Sequence, residues 1–147
     1  MLLYSPPAGG KTTALLHLAK LISKRDGRHV VIVDERGEFP PGDFADTTVD
    51  IIRGYKKPKG IEIALRTLGA QIIVTDEIGS QEEAEGIELC GRGGVPFIAS
   101  AHASSTDELY SKPAISSLIR RGFFDTLVRL YKDGARFGFE PTPPIEG

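Results

Sequence analysis

A loop of small residues near the start of the chain constrains the fold more than any other feature of the sequence. The apolar run at residues 1–4 leads directly into residues 5–13, which read Ser-Pro-Pro-Ala-Gly-Gly-Lys-Thr-Thr, and a helical pattern opens at Lys11. A strand, a loop of this composition that ends in Lys-Thr, and a helix form the layout of a phosphate-binding P-loop. This order predicts an α/β domain built around the first strand and the first helix.

The residue types of the loop suit a polyphosphate ligand. Gly9 and Gly10 allow backbone N–H groups to approach phosphate oxygens with no Cβ atom in the way, and the positive end of the following helix attracts anions. We expect the Lys11 ammonium to contact the β- and γ-phosphates and the Thr12 hydroxyl to ligate Mg²⁺. The residues predicted to bind the nucleotide here are Pro7, Ala8, Gly9, Gly10, Lys11, Thr12 and Thr13. Ser5 replaces the first glycine of the pattern as a tolerated variant, and the competing interpretation is a turn that only joins a strand to a helix.

The composition limits the classes of protein to which the chain can belong. Its 147 residues suit one domain, and 40% hydrophobic with 26% charged residues are typical of a globular protein. A net charge of -2 argues against a broad nucleic-acid-binding surface. The single cysteine, Cys90, excludes an intrachain disulfide and fits a reducing compartment. No apolar run approaches about 18 residues, so no membrane-spanning helix is expected.

Strand and helix patterns alternate along the chain. β-branched runs at residues 29–33 and 71–75 suit strands buried on both faces of a parallel sheet. The predicted strands are residues 1–4, 29–33, 47–52, 71–75, 95–101, 124–131 and 136–139, and the predicted helices are residues 11–24, 61–68, 80–91, 106–110 and 113–121. The last two strands form a hairpin. We therefore predict an α/β fold of three layers, with a mainly parallel sheet and a C-terminal β-hairpin, over residues 1–140, followed by a disordered tail at 141–147.

Acidic residues follow two buried strands, at the sheet edge where α/β proteins build their sites. Asp76 follows one of these strands and is expected to hold Mg²⁺ directly or through water. Glu77 could polarise the attacking water or help to place the metal. Glu35 closes the other strand and is a second candidate for activating water, so the general base stays open between Glu35 and Glu77. The competing interpretations are a helix cap at residues 76–77 and a surface ion pair at residues 34–36.

A histidine and a basic loop are weaker signals. His102 follows the strand at 95–101, where it could hydrogen-bond the γ-phosphate or its water, or have a purely structural role. His17, His29 and Cys90 do not have zinc-ligand spacing. Lysines beside a tyrosine at residues 55–59 could contact single-stranded nucleic acid, but one short loop makes this the less favoured interpretation.

Four motifs in combination resemble the stage III sporulation protein AA family, which in turn resembles the secretion ATPases of type II and type IV systems. They are Pro-Pro-Ala-Gly-Gly-Lys-Thr-Thr at 6–13, Val-Asp-Glu-Arg-Gly-Glu at 33–38, Val-Thr-Asp-Glu-Ile-Gly at 74–79 and Ala-His-Ala-Ser-Ser at 101–105. By this resemblance residues 5–13 are the Walker A loop, and residues 76–77 are the Walker B pair. Glu35 falls in an acidic box, His102 in a histidine box, and Arg66 matches an arginine that faces nucleotide or a neighbouring subunit.

The resemblance implies a RecA-like P-loop ATPase that uses ATP and Mg²⁺. The predicted catalytic residues are Lys11, Glu35, Glu77 and His102, the predicted metal-binding residues are Thr12 and Asp76, and Arg66 joins the nucleotide-binding set. The family picture is a homo-oligomeric ring, a hexamer, that works with membrane-associated channel or secretion proteins between mother cell and forespore. It would lie in the cytoplasm, or peripherally at the inner face of a membrane complex.

Two alternatives remain open at this point. The chain begins inside its first strand, so it could be a nucleotide-binding module that is inactive without a partner or an N-terminal domain. It could also be an ATPase that binds single-stranded nucleic acid, for which the basic loop at 55–59 is the motivation.

Overall fold

The first strand lies inside the sheet, and all four of its residues are buried. This and the following description refer to a computed structural model, which describes residues 1–7, 10–40, 44, 46–91 and 94–144, with the backbone alone for Cys90. The strands are β1 (Leu2–Ser5), β2 (Val30–Asp34), β3 (Val49–Arg53), β4 (Ile72–Glu77), β5 (Phe97–His102), β6 (Leu127–Asp133) and β7 (Arg136–Thr142). They form one seven-stranded sheet in the order β3-β2-β4-β5-β1-β6-β7.

The sheet is parallel except at one edge. β1 pairs in parallel with β5 and β6, and β2, β3, β4 and β5 continue the parallel arrangement. β7 returns antiparallel to β6 as the predicted C-terminal hairpin. Because parallel strands all end at the same edge, the polar residues after β1, β2, β4 and β5 are brought together there.

Helices cover both faces of the sheet. They are α1 (Lys11–Asp26), α2 (Lys57–Arg66), α3 (Gln81–Gly91), α4 (Thr106–Ser111) and α5 (Pro113–Arg120). In β2, alternate residues point to opposite faces, as strand geometry requires. Val30 and Ile32 pack in one core cluster with Leu15 of α1, whereas Val31 packs in the other with Ile61 of α2. The prediction of a three-layer α/β fold with a mainly parallel sheet is therefore confirmed.

Several predicted boundaries differ from those of the structure, and two of the differences matter here. The basic segment at 55–59 is not a loop throughout, because α2 begins at Lys57 with Pro58 in its first turn, where a proline needs no N–H donor. β7 extends to Thr142, so residues 141 and 142 of the predicted tail belong to the hairpin. Residues 145–147 of that tail lie outside the described residues. Within the described ranges, none of the helices combines the length and apolar character that crossing a bilayer requires.

Candidate active site

A polar cavity of about 260 Å³ opens at the carboxyl edge of the sheet, beside the start of α1. Predicted site residues that line it are Gly10, Lys11, Thr12, Thr13, Asp76, Glu77 and His102. Arg36, Glu38 and Ser100 complete its walls. The fold thus brings together residues that are up to 92 positions apart in the sequence, Gly10 and His102. Ala8 and Gly9, the other predicted members of the loop, lie outside the described residues.

The N-terminus of α1 has features that favour the binding of an anion. Gly10 caps the helix in the left-handed region, at φ 82°, without a side-chain hydrogen bond to the first turn. A residue with a Cβ atom is strained at that φ, which explains the glycine. Lys11 is the first residue of this helix and is only 9% exposed as a whole. Among the described residues, its Nζ atom donates long hydrogen bonds, of 3.3 Å to Ser5 Oγ and 3.4 Å to Ser5 O and Pro6 O.

Burial lowers the pKa of Lys11, and the Lys112 ammonium adds to this, while the nearby Glu77 carboxylate opposes both by favouring the charged form. A buried ammonium is stabilised by an anion that enters the cavity. The site therefore brings a positive charge and the N-terminal end of α1 together at one place.

Asp76 faces the same cavity and is only 4% exposed. Apart from the Lys57 ammonium, neither of its Oδ atoms has a hydrogen-bond partner among the described residues. The Lys57 Nζ atom approaches Oδ1 to 2.9 Å as an ion pair. Burial raises the pKa of Asp76, and the adjacent Lys57 charge opposes that rise.

A buried carboxylate that lines the same cavity as Thr12 fits Mg²⁺, which prefers hard oxygen ligands. No group of three or more His, Cys, Asp or Glu side chains able to hold a metal occurs in the described part of the chain. This agrees with P-loop chemistry, in which phosphate oxygens and water complete the coordination of Mg²⁺.

Glu77 and His102 form a direct pair across β4 and β5. Glu77 Oε1 lies 2.6 Å from His102 Nδ1, and Arg36 lies 3.5 Å from Oε2. The register between β4 and β5 shifts between Val74 and Glu77, so that Glu77 pairs with Ser100. Irregularities of this kind change the direction in which a side chain points. This one lies beside Glu77, whose side chain lines the cavity.

Lys57 is the residue that sequence reasoning missed most clearly. It is 2% exposed, and its Nζ atom contacts Asp76, Glu83 Oε2 at 2.7 Å and the Glu77 carbonyl oxygen. It joins the first turn of α2 to the end of β4 and the start of α3. Proline is common in the first turn of helices, so Pro58 was the sequence signal for a helix that starts near Lys57. Because Lys57 points inward, the segment at 55–59 does not form a continuous basic surface for nucleic acid.

Glu35 and Glu38, the two acidic residues after β2, line different cavities. Glu35 Oε2 accepts a hydrogen bond of 3.2 Å from the Lys57 backbone N–H. Glu35 lines a separate cavity beside α2, of about 330 Å³, and not the one that holds Lys11. Glu38, which sequence reasoning did not select, lines the Lys11 cavity instead. The structure therefore does not bring Glu35 to the other predicted catalytic residues.

Asp34 explains how Glu38 reaches the cavity. Its fully buried carboxylate accepts hydrogen bonds from the backbone N–H groups of Glu38, at 3.0 Å, and Phe39, at 3.2 Å. Arg53 Nε donates to the same carboxylate at 3.3 Å. The chain therefore turns back over the end of β2.

Arg66 lies away from this cavity. Its side chain is 81% exposed and pairs at 3.5 Å with Glu62 on the same helix. Pro7 is exposed and does not line the cavity either. A role for Arg66 in nucleotide binding stays a prediction, and it would require a second subunit.

The fold is that of known motor and secretion ATPases. The ATPase DotB of Legionella pneumophila superimposes with a TM-score of 0.73 at 14% identity, covering 95% of this chain and 43% of that chain. The pilus retraction motor PilT with bound ADP gives a TM-score of 0.72 at 14% identity, covering 97% and 47%. At this identity the likeness establishes the fold.

The chain belongs to the family described as sporulation stage III, protein AA, whose model matches residues 1–138. It is 31% identical over 140 residues to stage III sporulation protein AA of Bacillus subtilis, covering 88% of this chain and 45% of that protein. The chain thus spans less than half the length of this curated relative.

Proposed function

We propose that this chain is a P-loop ATPase domain that binds MgATP and hydrolyses it to ADP and phosphate. One observation supports this most directly: the cavity at the start of α1 combines the Lys11 ammonium, the buried Asp76 carboxylate and the Glu77–His102 pair. These are the groups that phosphoryl transfer to water requires at one place. The names of the structural neighbours, an ATPase and a motor with bound ADP, are consistent with it.

Each residue has a role in the proposed reaction. Lys11 and the N–H groups of the first turn of α1 hold the phosphate oxygens and neutralise their charge. Thr12 and Asp76 would hold Mg²⁺, whose charge stabilises the transferring phosphoryl group when it is bound. Glu77 orients the attacking water and accepts its proton, and the 2.6 Å contact from His102 fixes the orientation of that carboxylate.

Glu38 is a second candidate for orienting the water, because it lines the same cavity. Glu35 is the weaker candidate, because it binds the start of α2.

Arg66 supports the proposal of a ring. It is exposed and does not line the cavity of its own chain, so a place in a nucleotide site would be reached in a neighbouring copy. We propose a homo-oligomer, a hexamer by family resemblance, that works with membrane-associated channel or secretion proteins during sporulation. The same observation favours a second candidate, a nucleotide-binding module that turns over ATP only after assembly.

Calorimetric titration with MgATP and MgADP, with molar mass measured in parallel by light scattering, tests the proposal. We expect nucleotide binding, and a loss of affinity of about 10- to 100-fold in Lys11→Ala because a charged hydrogen-bonding group is removed. Lys24→Ala is the matched control, since Lys24 is an exposed lysine in the last turn of the same helix. Equal affinities of Lys11→Ala and the unchanged chain would contradict the proposal.

A further inference from the structure

A second cavity, which we call the hairpin groove, lies between α1 and the β6–β7 hairpin and measures about 570 Å³. Its only polar side chains among the described residues are those of Thr13 and His17. Gly10 and Thr13 line both this groove and the Lys11 cavity. The hairpin groove is therefore a direct continuation of the candidate phosphate site.

Large apolar side chains of the hairpin groove are exposed to solvent. Phe137 is 53% exposed, Phe139 is 60% exposed and Leu21 is 54% exposed. An apolar cluster of this kind on a protein surface indicates a ligand or partner. The cross-strand register places Phe139 opposite Leu130, which is buried against α1, so both phenylalanines lie on the α1 side of the hairpin.

Phe137 lies directly over the phosphate loop. A Cβ atom built on Gly10 would lie only 2.9 Å from Phe137 Cε1, so the ring fills the space that the glycine leaves. The Lys132 ammonium lies 5.5 Å from the centre of the same ring. The aromatic face thus begins where the candidate phosphate site ends.

We propose that the hairpin groove is the subsite for the nucleobase of the nucleotide whose phosphates bind at Lys11, and that Phe137 is its stacking residue. This inference depends on the proposed function. Lys11 and Thr12 face the phosphate cavity, Thr13 faces both cavities, and His17 lies one helical turn, about 5.4 Å, further into the groove. A nucleotide that extends from phosphate through ribose to base follows the same path along α1.

The chemistry of the groove favours a planar aromatic ligand. Stacking on an aromatic side chain is tolerant of base identity because every base has a π-face. A purine covers more apolar surface than a pyrimidine and should bind more tightly. We therefore expect ATP and GTP to bind more tightly than UTP, with little discrimination between the two purines.

The test is calorimetric titration of the full chain with ATP, GTP, UTP and inorganic tripolyphosphate, each with Mg²⁺. Phe137→Ala should weaken ATP binding about tenfold, the size of one stacked base, and leave tripolyphosphate binding unchanged. Phe137→Leu, which keeps apolar bulk but removes the ring, should give an intermediate loss. Tyr131→Ala is the control, because Tyr131 is a 40% exposed aromatic residue of the same hairpin that does not line the groove.

The outcomes separate this inference from the proposed function. If the unchanged chain binds tripolyphosphate and ATP with equal affinity, or if Phe137→Ala binds ATP normally, the hairpin groove is not a base subsite although phosphate binding stands. If Phe137→Ala instead lowers the molar mass in light scattering with ATP affinity unchanged, the groove is a contact with a second copy, and the inference is wrong. If neither tripolyphosphate nor ATP binds, the proposed function fails first.

Discussion

Two strand ends of this protein have similar sequences but different surroundings. β2 ends in Asp34, which Glu35 follows, and β4 ends in Asp76-Glu77. Asp34 accepts hydrogen bonds from two backbone N–H groups and Arg53, whereas the described partner of the Asp76 carboxylate is the Lys57 ammonium alone, 2.9 Å from Oδ1. The first carboxylate supports a turn and the second faces a cavity. The number of backbone N–H groups bound to each carboxylate therefore distinguishes the two positions where residue type does not, and it makes Asp76 the better candidate for binding a ligand.

The largest effect is expected in a comparison of variants at Glu77 and Glu35. Glu77→Gln should lower the rate of ATP turnover by about 10²- to 10⁴-fold, the usual contribution of a general base. Glu35→Gln should lower it only a few-fold, because Glu35 binds the α2 terminus. Phosphate release measured at saturating MgATP gives both rates, and Glu38→Gln measured beside them tests the second carboxylate of the cavity. A larger loss in Glu35→Gln than in Glu77→Gln would reverse the assignment.

Removing the partner of Asp76 should have the next largest effect. Lys57→Met leaves a buried carboxylate without its counter-charge, which should lower the free energy of unfolding by about 3–5 kcal/mol. Adding Asp76→Asn to that variant should recover a large part of the loss, since the uncompensated charge is then gone. Urea denaturation measures both effects. Lys59→Met, at a 59% exposed lysine of the same helix, is the matched control and should change stability by less than about 0.5 kcal/mol.

Substitution of Asp34 and of Asp76 should have different effects on the free energy of unfolding. Asp34→Asn should lower the free energy of unfolding by about 1.5–3 kcal/mol, because hydrogen bonds to a charged acceptor are lost. Asp76→Asn should not lower it at pH 7. The folded pKa of Asp76 is raised by burial, so its ionisation reduces stability as the pH rises from the unfolded pKa, about 3.9, through the folded one.

The difference between Asp76→Asn and the unchanged chain should therefore shrink at acidic pH, where the carboxyl group is protonated in both states. Thermal denaturation followed from acidic to neutral pH gives this difference directly. A stability loss in Asp76→Asn as large as that in Asp34→Asn at pH 7 would mean that Asp76 is structural.

Arg66→Ala should have the smallest effect on the isolated chain. It removes one exposed pair with Glu62 and should change the free energy of unfolding by less than about 0.5 kcal/mol. Its effect should appear only in assembled copies, as a loss of ATP turnover that the monomer does not show. Turnover measured across a range of protein concentrations distinguishes an effect on assembled copies from an effect on the monomer. A loss that does not depend on concentration would place Arg66 in the site of its own chain.

Local patterns made most of the fold predictable. The strand runs and the loop before Lys11 are short-range signals, and β1 and α1 follow them closely. The meeting of Asp76 and His102 at one cavity was also predictable, because parallel strands share a carboxyl edge.

Positions that depend on how the chain turns after a strand could not be predicted. Glu38 rather than Glu35 reaches the Lys11 cavity because Asp34 binds the backbone of the following turn. Lys57 is buried by contacts with β4 and α3, which are distant in sequence. The hairpin groove likewise requires β7 to be packed beside α1, a tertiary relation that no local periodicity contains.

The burial of Lys57 has a mechanical consequence for α2. One end of this helix is anchored to the carboxylate that would hold the metal, and its other end presents Arg66 to the outside, about 14 Å away along the axis. A hydrogen-bonded helix moves nearly as a stiff rod, so a shift of Lys57 when a cation arrives at Asp76 would displace the far end as well. Under the proposed function, cation binding at Asp76 would in this way be transmitted along α2 to the exposed surface at Arg66.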